Sequence, residues 1–194
     1  MYNTHILLFI AWMAYGLLHS MFASLTLKKW IAHRWKFYTK YYRLCYSVFA
    51  VISLVIILWC QFFVESFLLF KNPWLRFGIG LPLALLGSVL MAICCGHYLL
   101  HLLGLEVFVE KDAVPVLKTN GLHSYVRHPL YLGTFIFLTG LFCCFPLLSN
   151  LIAATIIIAY TLIGIRLEEK KLLLEFGKAY SAYQKKVPML IPFV

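Results

Sequence analysis

PLYLGTFIFLTGLFCCFPLLSNLIAATIIIAYTLIGI, residues 129 to 165, runs without a single charged side chain. A helix needs about 20 predominantly apolar residues to cross a bilayer. This run is too long for one such helix, and FPLLSN, residues 145 to 150, interrupts it with a proline, a serine and an asparagine. It reads as two antiparallel helices in a tight hairpin, with spans at 129–147 and 150–165.

Three more apolar runs precede it, at about 4–27, 44–70 and 74–105. The third is long and carries Gly78, Gly80, Pro82, Gly87 and Gly96, which predicts tilt, bending or close helix contact. MYNTHILLF at the start lacks a basic region, and its apolar run outlasts a signal peptide, so it reads as the first span. The fold expected is an all-α integral membrane protein of about five transmembrane helices in one domain. It closes with the C-terminal hairpin and a cytoplasmic amphipathic tail, 166–194. Composition agrees: 63% of the 194 residues are hydrophobic and 12% charged, where soluble domains are about half apolar and about a quarter charged.

The chain has 17 Lys and Arg against 7 Asp and Glu. These cations flank the apolar runs, where they set topology and meet anionic lipid headgroups. No aromatic-interleaved basic patch stands apart from the membrane, so nucleic acid is not an expected partner. Lys28, Lys29, Arg34, Lys36, Lys40 and Arg43 follow the first run, and Lys71 and Arg76 follow the second. Lys111, Lys118 and Arg127 follow the third, and Arg166, Lys170, Lys171, Lys178, Lys185 and Lys186 lie in the tail. The richer sides place the N-terminus outside and the C-terminus in the cytoplasm. The polar loop 106–128 and the tail then share the cytoplasmic face.

Two groups on that face carry chemistry. Arg127-His128-Pro129, with Leu130 and Tyr131 following, opens the fourth span. Proline suits the first helical turn, and an arginine beside a membrane helix anchors topology. The same corner also offers free N–H groups, the positive end of a helix dipole and a planar guanidinium, which suit a carboxylate. Arg166, Glu168 and Glu169 follow the last span. Acids there can be a solvated turn, but a carboxylate close to a bilayer is costly unless paired or solvated, which makes it a functional candidate. Glu168 or Glu169 suits an ammonium group. Together the two groups can grip an amino-acid moiety.

Other chemistries find little support. Cys94-Cys95 and Cys143-Cys144 lie inside apolar runs, with Cys45 and Cys60 apart, and no CxxC occurs; they read as small packing residues. His97 and His101 share a helix face, but HYLLH lacks the glutamate of HExxH and no HxxHH boxes recur, so no metal site is expected. Those histidines, and His19-Ser20 in the first run, read as hydrogen-bonded groups at a membrane boundary. No GxGxxG, P-loop or GxSxG is present.

VLKTNGLHSYVRHPLYLG and RLEEKKLLLEFGKAYSAYQKKVPMLIP, with the hairpin between them, resemble the isoprenylcysteine carboxyl methyltransferase family. The resemblance covers roughly residues 106 to 194, nearly half the chain. It rests on Gly121, the RHP triplet, Tyr131, Gly133, the glutamate pair, Phe176-Gly177, Tyr180, Tyr183 and Val187-Pro188. LLHS, YYRLCYS and HLLGLEVF in the first half, and the closing RLEEK and VPMLIP, look more like the related methanethiol S-methyltransferase and NnrU-like branch. The resemblance implies a membrane enzyme that uses S-adenosyl-L-methionine without a Rossmann fold and releases S-adenosyl-L-homocysteine. It implies a cofactor wrapped by Pro115, Val116, Leu117, Lys118, His123, Arg127, His128, Pro129, Leu130 and Tyr131, and contacted by Glu168 or Glu169. It implies that Arg166 orients the acceptor. His123 stands where the family usually has tyrosine, and Arg166 lies nearer Phe176-Gly177 than the family's substrate arginine. The acceptor implied is lipophilic: an isoprenylcysteine-type carboxylate or a small thiol, with a phospholipid amine as a third option. A carrier or assembly protein on the same scaffold is the non-catalytic alternative. Oligomeric state is left open.

Overall fold

The computed structural model describes residues 2–34, 41–103 and 116–192. Pro115 and the side chains of His97 and His101 lie outside the described residues. Among the described residues the chain is helical, and four helices are long and apolar enough to cross a membrane: Asn3–Ala23, Leu44–Phe62, Trp74–Gly96 and Leu148–Phe176. Two compact units partition the chain: Met1–Phe67 with Tyr98–Ala113, and Leu68–His97 with Val114–Val194.

The first unit pairs α1 (Tyr2–Ala23) with α3 (Tyr42–Phe62), with α2 (Leu25–Arg34) between them in sequence. The expected span to residue 27 stops earlier, because the Ser24 hydroxyl competes for backbone groups. It donates to the Met21 carbonyl at 2.7 Å and accepts from the Leu27 N–H at 3.3 Å, so one helix ends and another is capped. Polar side chains join α1 to α3 and the residues after it. Trp12 donates to Gln61 at 2.8 Å, His5 lies 3.1 Å from Ser66, and Tyr46 lies 2.7 Å from His19. In an apolar surround such bonds hold a helix pair in register. The second expected span, 44–70, is also shortened: α3 ends at Phe62. Residues 63–70 are apolar apart from Glu65 and Ser66, but they are not helical.

The second unit holds the hairpin. A π-helical segment, Trp74–Gly80, leads into α4 (Leu81–Leu103). α5 (Pro129–Cys144) and α6 (Leu148–Phe176) follow, then α7 (Lys178–Lys186). Glycines let backbones touch. A Cβ on Gly140 would meet the Ala84 backbone, with the Gly80 carbonyl oxygen at 2.8 Å; one on Gly87 would meet the Gly133 carbonyl oxygen at 2.7 Å. Of the glycines of the third run, Gly80 and Gly87 act in this close contact. At the turn Pro146 is buried and its carbonyl accepts from the Leu69 N–H at 2.7 Å. Arg76 donates to the Cys144 carbonyl at 3.0 Å, a cation at the negative end of α5.

Two expectations about the hairpin need amending. The fourth span, expected over 129–147, forms a helix of 16 residues. At about 1.5 Å per residue it is shorter than a hydrocarbon core of about 30 Å, so a count of five spans is not reached by length alone. The expected boundary between span and tail at 165 is no break in the backbone. α6 continues for 29 residues through the charged RLEEKK, since no breaker intervenes before Gly177 at φ +52°.

Candidate functional site

The start of α5 and the distal half of α6 meet in the second unit. Gly121 at φ +61° opens a 3-10 turn, Gly121–Ser124, closed by the Ser124 hydroxyl on the Gly121 carbonyl at 2.7 Å. Val126 is buried beyond it, which orients Arg127 and His128 ahead of the helix. Pro129 takes the first helical position, and no side chain caps that helix end. The antiparallel hairpin then brings the first turn of α5 beside Glu168 and Glu169.

The two glutamates do different work. Glu169 is saturated. Its Oε1 accepts from Arg127 Nε at 2.6 Å, His128 Nε2 at 3.2 Å and the Tyr180 hydroxyl at 3.4 Å, and its Oε2 accepts from Gln184 Nε2 at 3.4 Å. Its side chain is 16% exposed. Glu168 is 43% exposed. Its Oε2 accepts from the Tyr131 hydroxyl at 2.9 Å, with His128 Nδ1 at 4.0 Å. One carboxylate is thus locked into the protein, and its neighbour is held at one oxygen and open to solvent.

Arg127 is committed as well. Besides Glu169 it donates through Nη1 to the Val187 carbonyl at 2.6 Å and to the Gln184 carbonyl at 3.2 Å. The backbone N–H groups of Arg127 and His128 donate to the carbonyls of Pro188 and Met189, at 2.9 and 3.2 Å. The segment after α7 is therefore strapped to the entry of α5. Tyr183, also buried, donates to the His123 carbonyl at 2.6 Å. His123 Nδ1 lies 3.1 Å from the Arg127 carbonyl, so that nitrogen carries the proton. Burial holds the His123 imidazole below its ordinary value. Burial, with Glu169 beside it, pushes the Tyr180 phenol up to about 12, so it stays a neutral donor.

Of the residues singled out in the sequence, His123, Arg127, His128, Pro129, Tyr131, Glu168 and Glu169 come together here, with Leu130 in the same first turn. Val116 is exposed, Leu117 half-buried and Lys118 exposed, though the Lys118 charge reaches His123. Arg166 is exposed, and among the described residues it makes no hydrogen bond or ion pair. Tyr180, Tyr183 and Gln184 had no assigned role. Their spacing at i, i+3 and i+4 marks one face of α7, which is the face that meets the site. The cluster of Arg127, Glu168 and Glu169 sums to one negative charge. It suits a ligand with a net positive charge and an ammonium group, and the uncapped end of α5 suits that ligand's carboxylate.

The family described as "Protein of unknown function (DUF1295)" matches residues 26–187. A methanethiol S-methyltransferase of Crocosphaera subtropica is 41% identical over 90 residues, 45% of this chain and 34% of that protein. A protein-S-isoprenylcysteine O-methyltransferase of Tribolium castaneum is 35% identical over 162 residues, 77% of this chain and 52% of that protein. A methanethiol S-methyltransferase of Pseudomonas sp. strain GM41(2012) is 33% identical over 153 residues, 73% of this chain and 55% of that protein. The chain thus spans about half, or less, of the length of these relatives. No solved structure matches it.

Proposed function

Because the chain belongs to the family described as "Protein of unknown function (DUF1295)", we propose that it is an integral-membrane methyltransferase using S-adenosyl-L-methionine and a lipophilic acceptor. The observation that carries the proposal is Glu168: a carboxylate held by Tyr131 and open to solvent, beside the uncapped start of α5. The named activities of the relatives support methyl transfer, to sulfur in one set and to oxygen in the other.

When bound, the cofactor supplies a sulfonium-activated methyl group. The ligand is a cation with one carboxylate, and the donor set fits it. Glu168, its rotamer fixed by Tyr131, would hold the ammonium. The free N–H groups at the start of α5 would take the carboxylate. Arg127 works one step back from the ligand: through Glu169 and the carbonyls of 184 and 187 it holds α7 and the segment after it over this corner. His123 and Tyr183 extend the same wall. Such a wall keeps reacting atoms in line and excludes water. The cation distribution supports a cytoplasmic position for this face, where a polar cofactor arrives from solution and a greasy acceptor from between helices. A carboxylate acceptor would draw on Arg166; a thiol needs no cation.

Proteoliposomes holding the full chain, given methyl-labelled cofactor with either a small alkyl thiol or an S-farnesylcysteine, test this. Label is expected in one of the two products, and lost with Glu168→Gln. Transfer to neither acceptor nor to the lipid, from well-folded protein, would remove the proposal in favour of a non-catalytic carrier or assembly protein.

A further inference from the structure

The chain contains no Asp or Glu before Glu65, yet six Lys and Arg fall between residues 28 and 43. α2 carries the first of them. Leu27 and Ile31, one helical turn apart, are half-buried, while Lys28, Lys29, Trp30, His33 and Arg34 are exposed. Trp30 is 61% exposed. Among the described residues Lys28, Lys29 and Arg34 make no ion pair. Ser24 ends α1, whose 21-residue apolar stretch is long enough to cross a membrane, so α2 begins where that stretch stops. Tyr42 donates to the Phe22 carbonyl at 2.6 Å, which sets another amphipathic aromatic at the same level.

We propose that α2 is a headgroup-level binding surface for anionic phospholipid. Its half-buried edge packs toward the protein, and its exposed cations and indole face the boundary between hydrocarbon and water. A cation cluster just beyond a span attracts anionic headgroups over zwitterionic ones, with a contribution that grows with each Lys or Arg. A topology anchor alone needs only positive charge on one side of the membrane, and it predicts no preference among lipids. The surface commits to lipid because it continues an apolar span and carries an exposed tryptophan among its cations.

The test titrates brominated phosphatidylglycerol, and separately brominated phosphatidylcholine, into the detergent-purified full chain while following tryptophan emission. The expected result is a quenched component that appears at lower phosphatidylglycerol than phosphatidylcholine and is absent in Trp30→Phe. In the Lys28→Gln/Lys29→Gln/Arg34→Gln variant its half-saturation should rise on the order of a hundredfold. Should the triple variant not fold, Lys29→Gln and Arg34→Gln singly, each expected to shift it roughly fivefold, carry the same test. Equal quenching by the two lipids in the wild type, or variants that titrate like it, would overturn the proposal.

Discussion

Replacing Arg127 by glutamine removes three contacts at once: Glu169 at 2.6 Å and the carbonyls of Val187 and Gln184 at 2.6 and 3.2 Å. Breaking one side of a fully buried ion pair costs about 3–5 kcal/mol. The Arg127 and Glu169 side chains are 11% and 16% exposed, so solvent reaches both. Screening lowers the loss to about 2–3 kcal/mol, and leaving two carbonyls without their donor adds about 1 kcal/mol. Arg127→Gln should therefore cost about 3–4 kcal/mol. Glu169→Gln should cost about 2 kcal/mol, since it spares the carbonyl contacts and keeps an acceptor oxygen. A double-mutant cycle in detergent, read by denaturant unfolding, should give a coupling of about 2 kcal/mol. The difference between the single variants isolates the strap from the ion pair. A coupling below about 0.5 kcal/mol would refute a structural role for this pair, and equal losses in the two variants would refute the strap.

Gly140→Ala should lower the melting temperature by several degrees, because its Cβ meets backbone atoms of Ala84 and Gly80; overpacking of this kind costs about 1–3 kcal/mol. Gly164→Ala, with nothing within 4 Å of its new Cβ, should instead stabilise the protein by about 0.5–1 kcal/mol and raise the melting temperature slightly. His123 should make the site sensitive to acid. Its folded value lies below the unfolded one, so its contribution is complete above about pH 6.5 and is lost as pH falls through the folded value. The hydrogen bond to the Arg127 carbonyl opposes burial, His128 and Lys118 lower the value further, and Glu168 opposes them weakly. Melting temperature followed from pH 7.5 to 5.5 should therefore fall more in the wild type than in His123→Gln.

Hydropathy found the membrane class and the hairpin because both follow from residue type: no charge over 129–165, and a buried proline at the turn. It placed some helix ends badly because it reads environment and not backbone. Residues 63–70 are mostly apolar but pair in part with the hairpin turn through Leu69. RLEEKK is charged but prolongs α6, because helix continuity depends on breakers and the first is Gly177. The site's members showed in the sequence because arginine, histidine and glutamate beside apolar runs are costly without a purpose. Their pairing was hidden. Glu168 and Glu169 lie about 100° apart around α6, so which one meets Arg127 depends on helix rotation, which adjacency does not reveal. Arg127 reads in sequence as a ligand for an anion. The fold spends its fork on Glu169 and two carbonyls because the turn at Gly177 brings α7 back across it. Tyr180, Tyr183 and Gln184 gain their roles from the same turn.

The central claim is that Glu168 is the open carboxylate of a cofactor site, and titration calorimetry of S-adenosyl-L-homocysteine tests it most directly. Glu168→Gln keeps the shape of the side chain and leaves the bond from Arg127 to Glu169 untouched. The wild type should bind, and Glu168→Gln should bind about ten- to a hundredfold more weakly, as expected when a charge-assisted hydrogen bond is lost. Folded wild-type protein that does not bind, or a variant that binds equally well, would contradict the account.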